Sequence, residues 1–192
     1  MPSNPNKGNY FENQFLVSTP QLDDPNFRQT VILMCKHDDE GAMGIVVNRL
    51  SGHSARDIFE QLEIVISNDV HTQIPVHNGG PVFPELGLII HTDKPSNWES
   101  TVRIGDGLSL TSSKDILCDI ARGEGPDRTL LSLGYAGWEP GQLEQEIYHN
   151  SWFTTPADHD ILFAQDVNSK WEKAASLIGI DTRKYFHQIG HA

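Results

Sequence analysis

Basic residues are scarce in this chain. Of its 192 residues, 14 are Lys or Arg against 26 Asp or Glu, a formal charge of −12 with histidine neutral. That balance repels nucleic acid and anionic membranes at long range. Direct DNA binding is disfavoured further because it needs cations clustered enough to displace counterions. The densest basic groups, Lys170/Lys173 and Arg183-Lys184, are not interleaved with aromatic residues. Long apolar runs are missing too: the longest strongly apolar stretch is Val31 to Cys35, far short of the roughly 18 residues of a membrane span. Met1 to Tyr10, rich in Asn and Pro, lacks the basic and apolar regions of a signal peptide. Only Cys35 and Cys118 could form a disulfide. Without an export signal the expectation is reduced, buried thiols in a cytoplasmic protein with no membrane contact.

Internal repeats, heptads and low-complexity linkers are also absent, and Gly and Pro are scattered as turn punctuation. With 38% hydrophobic and 21% charged residues, the chain suits one compact domain, expected over residues 10–192 behind a flexible tail over 1–9. Runs rich in β-branched and large apolar residues mark strands at Phe15-Leu16-Val17, Val31 to Cys35, Gly44 to Val47, Leu88-Ile89-Ile90, Leu130 to Leu133 and Ile161-Leu162-Phe163. Weaker signals lie at Ile74 to His77 and Thr101 to Ile104. The acidic stretch Asp38-Asp39-Glu40-Gly41 predicts a hairpin between the second and third runs.

Helix starts are marked by a hydroxyl three residues before a carboxylate: Ser54 with Asp57, Ser112 with Asp115, and Ser169 with Glu172. Apolar stripes follow each, and Gly123 is placed to close the second helix in the left-handed conformation. A fourth helix is expected near Pro140, with Leu143 and Ile147 one turn apart. Irregular interleaving with a hairpin at the front favours a mixed sheet with helices outside over a doubly wound fold.

Catalytic signatures are missing. There is no phosphate-binding Walker motif; Gly105-Asp106-Gly107 and Gly123-Glu124-Gly125 lack a third glycine, and no Gly-x-Ser-x-Gly or Cys-x-x-Cys occurs. Two histidine groups have residue types that can ligate a metal. His37-Asp38-Asp39-Glu40 sits in the expected turn, where acids are ordinarily solvated, and His187-x-x-x-His191 lacks the intervening glutamate of a zinc helix. Glu144 and Glu146 are two apart and diverge on a helix, which undercuts a paired-carboxylate mechanism. No cofactor and no metal site is expected.

What resists a purely structural reading is Leu133-Gly134-Tyr135-Ala136-Gly137-Trp138-Glu139-Pro140-Gly141-Gln142-Leu143-Glu144. Two aromatics with polar tips stand among glycines at a strand-to-helix junction, which is either a tight turn under an aromatic lid or a place with backbone amides open to a ligand. Asn48-Arg49 and Asn78-Gly79-Gly80-Pro81-Val82 carry the same ambiguity.

At these residues the sequence resembles the AlgH/YqgE family of bacterial proteins. The matching pieces are Phe15-Leu16-Val17, Asp24-Pro25-Asn26-Phe27, Thr30-Val31, Glu40 to Arg49, Gly79-Gly80-Pro81-Val82, Leu133 to Trp138, Gly141 to Glu144 with Glu146, Asn150-Ser151-Trp152 and Gly190-His191-Ala192. The resemblance implies a single compact α/β (α+β) domain whose bent, partly bifurcated mixed sheet forms a pseudo-barrel flanked by helices. It implies no mechanism. The family's label of transcriptional regulator brings no DNA-binding motif onto residues here, and the charge of −12 argues for an indirect role.

The expectation is therefore a non-enzymatic binding or regulatory protein that acts through a protein partner or small ligand. Asn48, Arg49, Gly79, Gly80, Tyr135, Trp138, Gln142 and Asn150 are the candidate binding residues. The alternative is an enzyme with an unfamiliar, metal-assisted hydrolytic site built on His37 or His149 with nearby acids.

Overall fold

A computed structural model describes residues 10–67 and 72–187, the last three as backbone alone. Ten strands form the sheet: β1 (Gln14–Ser18), β2 (Val31–Asp38), β3 (Gly41–Val46), β4 (Leu50–Ser54), β5 (Pro75–Asn78), β6 (Val82–Thr92), β7 (Thr101–Gly105), β8 (Leu108–Thr111), β9 (Thr129–Trp138) and β10 (Trp152–Pro156). The helices are α1 (Ala55–Gln61), α2 (Lys114–Arg122), α3 (Gln142–Tyr148), α4 (His159–Leu162), α5 (Lys170–Leu177) and α6 (Thr182–His187). The order β10-β1-β2-β3-β9-β6-β8-β7 is antiparallel throughout, and β4-β5 forms a side branch.

The sheet divides at β9. Along one edge β9 pairs with β6, Gly87 opposite Leu133 through His91 opposite Thr129. Its other edge first meets β5 in parallel, with His77 opposite Ser132, and then β3 in antiparallel register, Ala42 opposite Trp138. The Val46 N–H donates to the Gly79 carbonyl at 2.9 Å and so joins the two branches. The result is a curled half-barrel, in which the expected bifurcated sheet is present as an α+β domain.

Period-two alternation sorts the strand side chains between layers. Phe15, Val17, Val31, Leu33, Ile45 and Leu130 face the concave side under α4 and α5, where Trp171, Ala174 and Ala175 cover them. The residues between them, Leu16, Ile32, Met34 and Val46, pack on the convex side against Trp138, Leu143 and Trp152. A third cluster sets α1 and α2 against β5, β6 and β9 through Phe59, Ile116, Ile120, Val76, Ile89 and Leu131. Burial on both faces is why these strands read as continuous apolar runs, each large side chain contributing about 1.5–3 kcal/mol. Cys35 lies in the concave core and Cys118 beside the third cluster, and both are free thiols. Burial pushes the Cys35 thiol up to about 12.

Local signals hold in most places and are corrected in three. The hairpin of β2 and β3 turns through Asp39 and Glu40, with Asp38 opposite Gly41. At α1 the Ser54 N–H and hydroxyl both donate to the Asp57 carboxylate, at 2.6 and 2.9 Å. The α2 cap is Ser113 and not Ser112, because the Asp115 carboxylate accepts from the Ile116 N–H and reaches across to the Glu99 N–H. Gly123 closes that helix at φ 79°. At α5 the start falls as expected, with Ser169 in the N-cap position, but its hydroxyl donates to the Asp166 carbonyl and caps nothing, because a 3-10 turn, Val167–Ser169, leads into the helix and is itself capped by Asp166. Ile161-Leu162-Phe163 is not a strand: Asp158 accepts from the Ile161 N–H at 2.9 Å, Ile161 and Leu162 are the buried end of one helical turn, and Phe163 is its C-cap. Strands β4, β8 and β10 carried too little apolar patterning to be seen in the sequence.

Candidate functional site

The eight residues singled out from sequence fall into three places. Arg49 acts as a strut: Nη1 donates to the Pro25 and Asn26 carbonyls at 3.1 and 2.7 Å, and Nη2 to the Arg28 carbonyl at 2.8 Å. Asn48 beside it accepts from the Val31 N–H and donates to the Gln29 carbonyl, both at 2.9 Å. Together they hold the loop between β1 and β2. Gly79 and Gly80 lie where the sheet divides. A Cβ on Gly79 would stand 2.1 Å from Ser132 Oγ, and one on Gly80, whose φ is +146°, would stand 2.2 Å from the Tyr135 backbone. Tyr135 joins the concave core and meets the exposed ring of Phe83 at 6.1 Å.

Trp138 points to the other side of β9. Its Nε1–H and that of Trp152 donate to the same Glu146 oxygen, at 2.9 and 2.8 Å, and the Gln142 amide donates to the second oxygen at 2.9 Å. Phe27 packs on both indoles. Asn150, exposed with φ +58°, terminates α3. Trp138 and Gln142 are thus brought together through Glu146, Gly80 adjoins the Tyr135 backbone, and Asn48 and Arg49 bind the loop between β1 and β2. No single surface presents all eight, since Tyr135 and Trp138 face opposite sides of one strand.

The histidine groups are likewise engaged. His37 accepts from the Phe11 N–H through Nδ1 and donates from Nε2 to Glu144 at 2.9 Å, while Lys36 pairs with Asp38 and the Tyr10 hydroxyl donates to Asp39. The four acidic-turn residues therefore diverge. His149 Nδ1 donates to the Gln145 carbonyl within its own helix turn. Among the described residues no three of His, Cys, Asp and Glu converge to hold a metal ion. The pair His187 and His191 lies outside the described side chains.

A different place carries the unusual chemistry. A cleft of about 910 Å³ opens at the shared N-terminal ends of β5 and β9, between the loop that follows α2 and the α4–α5 corner. None of the eight residues lines it. On its floor Lys170 is 1% exposed and donates through Nζ to the Val47 and Leu162 carbonyls, at 2.9 and 2.7 Å. Val47 directly follows β3 and Leu162 is the last residue of α4, and the partial negative charge of their carbonyl oxygens suits an ammonium. No carboxylate among the described residues pairs with Lys170, and burial pulls the ammonium down to about 8.

His77, 5% exposed, stands beside it. Its Nδ1 faces the Leu131 carbonyl at 3.2 Å, and because a carbonyl only accepts, the proton sits on Nδ1. Nε2 is then a bare acceptor, buried and without a partner among the described residues. Burial, and after it the Lys170 charge, pushes His77 down to about 4, so the imidazole is neutral near pH 7. Ser132, opposite His77 in register, has a buried Oγ that also lacks a partner. At the mouth Arg128 pairs with Asp160 at 2.9 Å and lies 5.9 Å over the Phe163 ring.

Sequence reasoning passed over His77 and Lys170. A signal was present for the second: Lys170 precedes Ala174 by four residues, on the apolar stripe of its helix.

A family model described as AlgH-like matches residues 15–183. The chain is 42% identical to a UPF0301 protein of Nitrosococcus oceani over 184 residues, 95% of this chain and 97% of that one. It is 44% identical to a UPF0301 protein of Methylococcus capsulatus over 182 residues, 95% and 96% of the two chains. The solution structure of the AlgH protein from Pseudomonas aeruginosa matches with a TM-score of 0.78 at 39% identity, over the full length of both chains. A Corynebacterium diphtheriae protein, 21% identical with a TM-score of 0.71, shares the fold over 96% of this chain and 94% of its own.

Proposed function

The chain belongs to the AlgH-like family, and we propose that it works by binding a small molecule in the cleft above Lys170 and His77, as a regulatory protein and not as a catalyst. The observation that carries this reading is the floor of the cleft. A buried ammonium without a counter-ion and a buried imidazole acceptor without a donor among the described residues are costly to maintain, at about 1–3 kcal/mol for an unsatisfied group. Packing alone would favour apolar side chains at both positions. A ligand that pairs with them recovers that cost on binding.

The regulatory part of the proposal rests on the surface. A charge of −12 with dispersed cations disfavours DNA, so an effect on transcription would pass through the ligand or a protein partner. A mobility-shift assay at low salt is expected to leave duplex DNA unshifted.

Fragment screening by NMR tests the cleft. A mixed library of neutral, cationic and anionic fragments is titrated into the labelled protein and into Lys170→Met. Binders that shift the His77 ring signals in the native protein and not in the variant support the reading; binders that perturb only other surfaces contradict it.

A further inference from the structure

From the floor of this cleft we infer that its ligand is a small monocarboxylate carrying a hydroxyl donor next to the carboxylate, on an apolar body. The inference rests on the binding reading above and specifies its ligand.

Three features define the class. The first is a donor. An ammonium has three protons, and Lys170 places two of them on the Val47 and Leu162 carbonyls, which leaves one N–H and a full positive charge for an anion. The second is an acceptor. His77 Nε2 requires a ligand O–H or N–H, and Lys170 is near enough for its charge to act on the imidazole. A donor and an acceptor that line one cleft select a ligand in which an anion and a donor are close together, as in a 2-hydroxy acid.

The third feature is the charge count. Arg128 is neutralised by Asp160, and Asp127 at the rim is exposed and acidic, so Lys170 is the one cation in the cleft without an opposite charge among the described residues. One uncompensated positive charge matches a monoanion. A phosphate dianion would bring a second negative charge into a low-dielectric site with the Asp127 carboxylate at its rim. Ile74, Pro75, Ile120, Leu130, Leu162 and Phe163 give the walls apolar surface beside the polar Gln73, Thr129 and Gln165, and suit a short hydrocarbon tail.

Calorimetric titration of the full chain tests this with four probes: 2-hydroxyisocaproate, isocaproate, 2-hydroxyisocaproamide and inorganic phosphate. The hydroxy acid is expected to bind one to one. Isocaproate, which lacks the donor, and the amide, which lacks the charge, should each bind about 10-fold more weakly, as expected for one hydrogen bond or one charge contact. Phosphate should produce no saturable heat. Lys170→Met should abolish binding of the hydroxy acid. His77→Leu should bring hydroxy acid and plain acid to equal affinity, and that ratio decides the matter even if the lysine variant fails to fold.

Equal binding of the amide and the acid to the native protein, or a hydroxy-acid preference that survives His77→Leu, overturns the ligand class. If the class fails while neutral or cationic fragments still shift His77, the cleft stands as a binding site for another ligand. If no fragment of any charge reaches His77, both readings fall.

Discussion

Around Glu146, two indole N–H groups and a glutamine amide converge on one carboxylate, each at 2.8–2.9 Å. Under the cleft, among the described residues, Lys170 has no carboxylate and His77 Nε2 has no partner. Both clusters are built from polar residues packed among apolar ones, yet the first is closed and the second is open. A closed cluster holds the structure together, because removing any member strands the others. An open one is a standing cost that a binding partner can relieve.

The largest expected effect falls at the division of the sheet that separates the two clusters. Gly80→Val places a branched side chain against the Tyr135 backbone, at a positive φ that L-residues seldom adopt. It should cost about 3 kcal/mol or more, or prevent folding, as read by urea denaturation. Glu146→Ala breaks the closed cluster by leaving two indole N–H groups unpaired, and should cost about 2–4 kcal/mol with the 2-hydroxyisocaproate affinity unchanged. Arg49→Ala removes three charge-assisted bonds and should cost about 1.5–3 kcal/mol, with faster proteolysis between residues 24 and 29.

The pH dependence reports on the open cluster. His77 is pushed from its ordinary value near 6.5 down to about 4, so the unfolded chain takes up the proton first as pH falls. Its contribution is complete above about 6.5 and is lost between there and 4, to a total of about 3 kcal/mol. Stability measured across that window should fall with acid in the native protein and fall less in His77→Leu. At pH 7 the same variant should change stability by only about 1 kcal/mol, since it trades one hydrogen bond for the removal of a stranded acceptor. A cost as large as that of Glu146→Ala would show that the two clusters do not differ.

Much of the fold was legible because its strands are buried on both faces. Val31 to Cys35 and Leu130 to Leu133 read as strands for that reason, and Asp57 marked α1 through its bonds to Ser54. The same criterion misled at Ile161-Leu162-Phe163, where a short buried helix and a buried strand share one pattern and the arbiter, Asp158, lies outside it. The glycine- and aromatic-rich segment drew attention on composition. Its chemistry became clear only when Glu146 and Trp152 were brought to it by α3 and β10. His77 and Lys170 are 93 residues apart and come together because β5 pairs with β9 inside the half-barrel that α5 covers, a juxtaposition no local pattern encodes.

The central contrast is tested most directly by one titration, in which 2-hydroxyisocaproate is added to the labelled protein while the His77 ring and the Trp138 and Trp152 indole N–H signals are followed together. The account predicts saturable shifts at His77 with both indoles unmoved. Saturable shifts at the indoles with His77 unmoved would contradict it.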